Sequence, residues 1–214
     1  MSVTLLESAA GSWQVLPLAD ADVRFAARWL APLEADALFD ALLREIPWER
    51  HRLRMFGRYI EAPRLSCWIG DPGAAYTYSN SRFEPRPWPP LLLSLRERVE
   101  EGCDARFNSV LANLYRDGGD SMGWHSDDEP ELGSQPIIAS VSLGAERRFR
   151  LRRRTVRGVR AKPVGLSLPH GSLLCMAGDT QRCYQHDLPK SADVSAARIN
   201  LTFRLIHGAA PCRP

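Results

Sequence analysis

Arg198-Ile199-Asn200-Leu201-Thr202-Phe203-Arg204 alternates polar and apolar residues without a break. A period of two is the signature of a strand, so Arg198, Asn200, Thr202 and Arg204 share one face while Ile199, Leu201 and Phe203 share the other. Taken alone, such a polar face either lies in water or lines a polar cavity. Other short β-forming runs precede it, each bounded by turn residues. They are Asn108 to Tyr115 before Asp117-Gly118-Gly119-Asp120, Ile137 to Leu143 before Gly144, Arg148 to Arg153, Val164 to Leu168, Leu173 to Met176, and Arg182 to His186. Regularly spaced short strands predict a sandwich or jelly roll rather than alternating βα units.

Upstream the pattern is helical. Ala31 to Ile46 places Leu33, Ala37, Leu38, Ala41, Leu42 and Ile46 on one face and stops at Pro47. Pro89-Pro90 opens a second helix through Leu91, Leu92, Leu95 and Val99, ending near Gly102. Their apolar stripes need a sheet to bury against. The expected architecture is α+β but mainly β, a jelly roll with the N-terminal helices packed on one face. It forms a single domain over 1–214, with a helical region through 105 and the β-core over 106–207.

The chain has 214 residues, 44% of them apolar and 25% charged, as in ordinary globular proteins. No run of about eighteen apolar residues suggests a membrane span, and the first residues lack the pattern of a secretory signal. Cys67, Cys103, Cys175, Cys183 and Cys212 are odd in number, widely spaced and contain no C-x-x-C. That spacing argues for reduced thiols rather than disulfides or structural zinc. A cytoplasmic monomer is expected. The net charge of +3 hides a concentration of arginine: Arg147, Arg148, Arg150, Arg152, Arg153, Arg154, Arg157 and Arg160 crowd fourteen positions. This run is either a solvated basic face or a surface for phosphate backbones.

His125 and Asp127 are two apart after a glycine-rich turn, so in an extended segment they point the same way. With the distant His186 they form a 2-His-1-carboxylate set, the facial arrangement that binds Fe(II) and leaves positions open. Two arginines on the face of 198–204 could clamp the two carboxylates of a diacid such as 2-oxoglutarate. Asn113 and Tyr115, a same-face pair on the strand before the histidine, could add hydrogen bonds to that ligand or be a satisfied polar pair in the core.

The motifs then become specific. The run Asn113-Leu114-Tyr115-Arg116-Asp117-Gly118-Gly119-Asp120-Ser121-Met122-Gly123-Trp124-His125-Ser126-Asp127-Asp128-Glu129 resembles the signature of the AlkB family of nucleic-acid dealkylating dioxygenases. So do Ala139 to Ala145, His170-Gly171-Ser172-Leu173-Leu174 and the closing Arg198-x-Asn200-x-Thr202-x-Arg204. The resemblance runs from Asn108 to Ile206, more weakly back to Met55, and favours the branch of the human DNA-repair homologues two and three. It implies a double-stranded β-helix, with His125, Asp127 and His186 on iron and Asn113, Tyr115, Arg198, Asn200, Thr202 and Arg204 around 2-oxoglutarate.

It also implies a reaction, the O2-dependent oxidative removal of alkyl groups from bases such as 1-methyladenine and 3-methylcytosine. The partner would be alkylated nucleic acid, DNA before RNA, and residues 1–105 would carry nucleotide recognition. By position, Tyr78 of Tyr76-Thr77-Tyr78 would stack on a flipped base with His125 on its other side. Asp128 would accept a hydrogen bond from an exocyclic amine. Met55-Phe56-Gly57 is either a wedge that fills the gap left by that base or a buried hairpin corner. One departure stands out. Where the duplex-repair member has a basic cluster, this chain reads Asp187-Leu188-Pro189-Lys190-Ser191-Ala192-Asp193, which weakens the grip expected on an opposite strand.

Overall fold

A computed structural model describes residues 12–55, 58–78, 81–155 and 161–207, with only the backbone described at 52–55, 58–60, 76–78 and 81–83. In chain order the elements are β1 (Gln14–Val15), β2 (Asp22–Ala26), α1 (Pro32–Glu45), β3 (Arg52–Met55), β4 (Arg58–Glu61), β5 (Leu65–Gly70), β6 (Tyr76–Tyr78), β7 (Ser81–Phe83) and α2 (Pro90–Cys103). Then follow β8 (Ser109–Tyr115), β9 (Met122–His125), β10 (Ile138–Gly144), β11 (Arg147–Arg153), β12 (Val164–Leu168), β13 (Ser172–Ala177), α3 (Thr180–Cys183), β14 (Tyr184–Leu188) and β15 (Arg198–Arg204).

The strands form a seven-stranded sheet ordered β1-β2-β13-β10-β15-β8-β5 and a four-stranded sheet ordered β12-β11-β14-β9, with the hairpins β3-β4 and β6-β7 beside them. The strand pairs of both sheets are antiparallel. This is the expected jelly roll. Because β2 and β5 belong to the larger sheet, the expected division at residue 105 does not follow the sheet. The early region is also richer in strands than a purely helical reading predicts. The expected strand from Arg182 begins two residues later, because Thr180–Cys183 closes into a helical turn.

Alternation sorts each central strand between two cores. Ile199, Leu201 and Phe203 of β15, Val110, Ala112 and Leu114 of β8, and Ala139, Val141 and Leu143 of β10 face the helices. Burying each large apolar side chain there contributes about 2 kcal/mol. The opposite faces look toward the smaller sheet, where Phe149, Leu151, Leu174, Met176 and Tyr184 form a second cluster. Arg198, Asn200, Thr202 and Arg204 all turn to this inner side and are buried. The polar stripe lies between the sheets and not in water.

Proline at the first turn starts both α1 and α2, where its missing N–H costs no helical bond. The α2 stripe packs as expected, with Leu92, Leu95 and Val99 buried. The α1 stripe is rotated. Leu33 is 85% exposed and Ala37 is exposed, while Ala35, Leu42 and Ile46 are buried. Ala35, small enough for close approach, takes the inward position together with Leu42.

Candidate active site

His125 ends β9 and His186 sits in β14, and the two are directly paired across the strands. Asp127 follows two residues after His125, and the ligand atoms of all three lie within 4.8 Å of one another. His125 Nδ1 lies 2.8 Å from the Gly123 carbonyl oxygen. An oxygen acceptor there requires the proton on Nδ1, which leaves Nε2 with a free lone pair for a metal. The imidazole rings meet edge to face at 4.2 Å. Asp127 and His186 are buried, while His125 is half-buried, so the group is closed behind and open in front.

The electrostatics favour a bare ligand set. Burial lowers the His186 pKa to about 3, His125 adds to the fall, and Asp127 only partly opposes it. Burial likewise lowers that of His125. Burial alone would raise the Asp127 carboxyl, but Arg204, then His186 and His125, bring it down to about 2. At neutral pH the set is two neutral imidazoles and one carboxylate, the protonation state a divalent metal requires. Around it, Arg204 Nη2 donates to Asp127 Oδ1 at 2.6 Å, and the Asp127 backbone N–H donates to Gln181 Oε1 at 3.0 Å.

These three residues line one cavity together with Asn113, Tyr115, Arg198, Asn200 and Thr202. The structure therefore brings together every residue expected for iron and cosubstrate. Asn200 Nδ2 donates to Ser140 Oγ at 2.7 Å, and Thr202 Oγ1 donates to Asn200 Oδ1 at 3.0 Å, which fixes that face. Arg198 Nη2 donates to Ser142 Oγ at 2.9 Å, and its guanidinium lies 5.3 Å from the Tyr115 ring centroid. Its Nε is buried without a hydrogen-bond partner, and no described carboxylate pairs with it. Burial lowers its pKa to about 10, partly offset by Tyr115, so it remains a cation in need of an anion. The two arginines thus divide the ends of the cavity. Arg204 is bound to Asp127 at the metal end, and Arg198 is open to a carboxylate at the other.

The substrate side is less uniform. Asp128 is exposed, and its carboxylate pairs with Arg154. Tyr76 and Tyr78 lie on the β6–β7 hairpin, with Tyr78 opposite Ser81, but their side chains are outside the described residues, as is Phe56. The arginine run is not a free basic surface. Arg147 is buried, Arg150 pairs with Asp187, Arg153 with Asp20 and Arg154 with Asp128. Arg152 bonds Gln185 Oε1 and Arg148 is exposed, while Arg157 and Arg160 lie outside the described residues. Strand alternation, Asp187 of the neighbouring strand and the loop acids Asp20 and Asp128 consume most of the run.

Two residues of the site carry no signal in the sequence. Arg64 is buried and its Nε donates to Asn113 Oδ1 at 2.8 Å, because β5 pairs with β8 so that Ser66 faces Asn113. Gln181 reaches the backbone of Asp127 across 54 residues of chain. Neither pairing has a local pattern.

The profile of the 2OG-Fe(II) oxygenase superfamily matches residues 22–204. The chain belongs to that superfamily. Its relatives place it in the AlkB family, as the motifs implied. It is 45% identical over 180 residues to Alpha-ketoglutarate-dependent dioxygenase alkB homolog 3 of Bos taurus, a match that covers 81% of this chain and 62% of the relative. It is 39% identical over 206 residues to DNA oxidative demethylase ALKBH2 of Homo sapiens, covering 93% of this chain and 78% of the relative. The match thus spans less than two thirds of the length of homolog 3. The structure of OsALKBH1 shares the fold, with a TM-score of 0.64 at 16% identity, covering 91% of this chain and all of that one. Membership in this superfamily and the donor set of the site agree on Fe(II) and 2-oxoglutarate. Among the described residues no helix is long and apolar enough to cross a membrane.

Proposed function

We propose that the protein is an Fe(II)- and 2-oxoglutarate-dependent dioxygenase that removes alkyl groups from bases such as 1-methyladenine and 3-methylcytosine in DNA, acting as a monomer. The observation that carries this reading is the convergence of His125, Asp127 and His186 with the unpaired cation Arg198 in one cavity. When bound, the metal with its cosubstrate supplies the oxidising equivalent for a C–H bond. The balance is an N-methyl group, 2-oxoglutarate and O2 giving an N-hydroxymethyl group, succinate and CO2. The N–C bond then breaks to release formaldehyde, and the proton of the hydroxyl goes to the base nitrogen.

The chain's own residues supply position. His125, Asp127 and His186 would hold the metal, and a set of two histidines and one carboxylate would leave it positions for cosubstrate and oxygen. Arg198 holds one carboxylate of the cosubstrate by charge-assisted bonds, with Tyr115 beside it. A base within a duplex must be flipped out to reach this cavity, at a cost of a few kcal/mol that is smaller for a lesion unable to pair. The names of the relatives support DNA as the substrate. Tyr78 would stack on the flipped base. Asp128 would have to exchange Arg154 for the exocyclic amine, so binding the base and breaking that pair are one event.

The test is incubation with Fe(II), ascorbate and 2-oxoglutarate on matched single- and double-stranded oligonucleotides carrying 3-methylcytosine, in DNA and RNA forms. The product is weighed. Loss of one methylene mass from DNA ahead of RNA is expected. Turnover of 2-oxoglutarate to succinate that ignores every oligonucleotide would instead indicate a protein or small-molecule substrate.

A further inference from the structure

Arg147 is among the largest side chains fully enclosed by the fold, 2% exposed, yet it is not among the residues that line the cavity. Its guanidinium donates to three backbone carbonyl oxygens. Nη1 reaches Asp117 at 3.0 Å, and Nη2 reaches Asp120 at 2.9 Å and Pro189 at 2.7 Å. Each acceptor adjoins a strand end that carries a cavity residue. Asp117 follows Tyr115 at the end of β8, Asp120 precedes Met122 at the start of β9, and Pro189 follows Leu188 at the end of β14. The same guanidinium lies 5.9 Å from the Tyr115 ring centroid, a ring that also has Arg198 beside it.

The two loops held by Arg147 are joined independently. Gly118 N–H donates to the Val194 oxygen at 2.7 Å, and Ser191 N–H donates to the Gly118 oxygen at 2.9 Å. A Cβ at Gly118 would lie 1.7 Å from the Ser191 oxygen, so the approach is close enough to require glycine. Arg147 has no carboxylate in ion-pair contact among the described residues, and a buried cation in that state is costly. An apolar residue of similar volume would avoid that cost but would take the donor from three carbonyls. What arginine adds is a rigid fork that bonds three carbonyls at once and a second positive charge behind Tyr115.

We propose that Arg147 is a positioning residue for the cosubstrate. By clamping the ends of β8, β9 and β14 and holding Tyr115 beside Arg198, it sets the affinity of the cavity for the 2-oxoglutarate dianion. This rests on the proposed function, because it assumes that 2-oxoglutarate is the ligand.

The test titrates 2-oxoglutarate by calorimetry into Mn(II)-loaded protein kept free of oxygen. Arg147→Met is expected to weaken 2-oxoglutarate binding about tenfold or more, because the strand ends and the Tyr115 ring beside Arg198 would lose their clamp. Mn(II) affinity should fall less than 2-oxoglutarate affinity, because Arg147 touches none of the three candidate ligands directly and reaches β9 and β14 only at their ends. Arg147→Lys keeps the charge and part of the bonding, so it should fall between the two. A melting temperature that drops while 2-oxoglutarate affinity stays at the wild-type value would make Arg147 merely structural and overturn the proposal.

If Arg147→Met does not fold, the wild-type protein still decides. Coupling is reciprocal, so 2-oxoglutarate must slow amide exchange at Gly118 and Ser191, and unchanged exchange there overturns the proposal. Wild-type protein that binds no 2-oxoglutarate would instead overturn the proposed function, a result distinct from either arm.

Discussion

Asp127 and Arg204 form a fully buried ion pair, Nη2 to Oδ1 at 2.6 Å, in which the acid is also a candidate metal ligand. The arginine therefore acts on the metal end of the cavity through the carboxylate. It takes one oxygen and leaves the other, 3.8 Å from His186 Nε2, to face the metal position. Breaking a buried pair from one side strands a charge and costs about 3–5 kcal/mol. Arg204→Met should lower the melting temperature, raise the Asp127 pKa and weaken Mn(II) binding. Calorimetric titration of Mn(II) into metal-free protein checks this. Wild-type metal affinity in the variant would show that Asp127 needs no such partner.

Gln181 supports the same ligand from its backbone. Its Oε1 accepts the Asp127 N–H, and its Nε2 lies 3.6 Å from Met176 Sδ. Gln181→Leu has similar volume but leaves that N–H buried without an acceptor, a loss of about 1–3 kcal/mol. Partners of metal ligands typically contribute about 10–100-fold in affinity. The expected outcome is a stable protein with weaker metal binding, while Gln181→Glu, which restores an acceptor, recovers much of it. Equal metal affinity in Gln181→Leu and wild type would rule this out.

Arg198 predicts a separation of stability from binding. Its charge is buried against Ser142 Oγ and Tyr115, and among the described residues no acid pairs with it to offset its cost in the ligand-free protein. Arg198→Met should leave the ligand-free melting temperature unchanged or higher. It should also abolish the rise in melting temperature that 2-oxoglutarate gives the wild type through mass action. A thermal melt with and without the cosubstrate reads both effects. A variant that still gains stability from 2-oxoglutarate would assign the carboxylate to another residue.

How far the sequence reaches follows from the same residues. The candidate iron and cosubstrate set was legible because each member sits in a strand or just after one, where period two fixes the face. Once Asn113 and Tyr115 share a face, and Arg198 to Arg204 share another, antiparallel pairing of β8 with β15 brings the faces into one cavity. Leu33 is exposed where the hydrophobic stripe predicts burial, because the inward face of α1 is chosen by close packing at Ala35 and Leu42 and not by hydrophobicity alone. The run Arg147 to Arg154 read as one basic surface because its partners, Asp20, Asp128 and Asp187, are distant in sequence. Arg64 and Gln181 were invisible for that reason too. Local alternation says which way a side chain points, whereas its partner depends on strand order.

The ligand histidines make the metal-free protein sensitive to acid. Burial holds the folded pKa of His186 near 3, from an ordinary value of 6.5, and lowers that of His125. Between those values the unfolded chain binds protons that the folded one does not, so stability rises with pH there and falls as pH drops below about 6.5. The Asp127 carboxyl, held near 2 against an ordinary 3.8, adds a loss of the same sign at lower pH. The contribution from His186 alone is on the order of 5 kcal/mol when fully expressed. Bound metal competes with the same protons and binds only the folded site. Urea unfolding of metal-free protein should therefore give a midpoint that falls from pH 7 to pH 4.5, and saturating Mn(II) should hold it higher at pH 7, with the benefit shrinking as the ligands protonate. In the metal-free His186→Gln variant the decline over this range should be shallower than in wild type. A decline of equal steepness in both would place the acid sensitivity elsewhere in the fold.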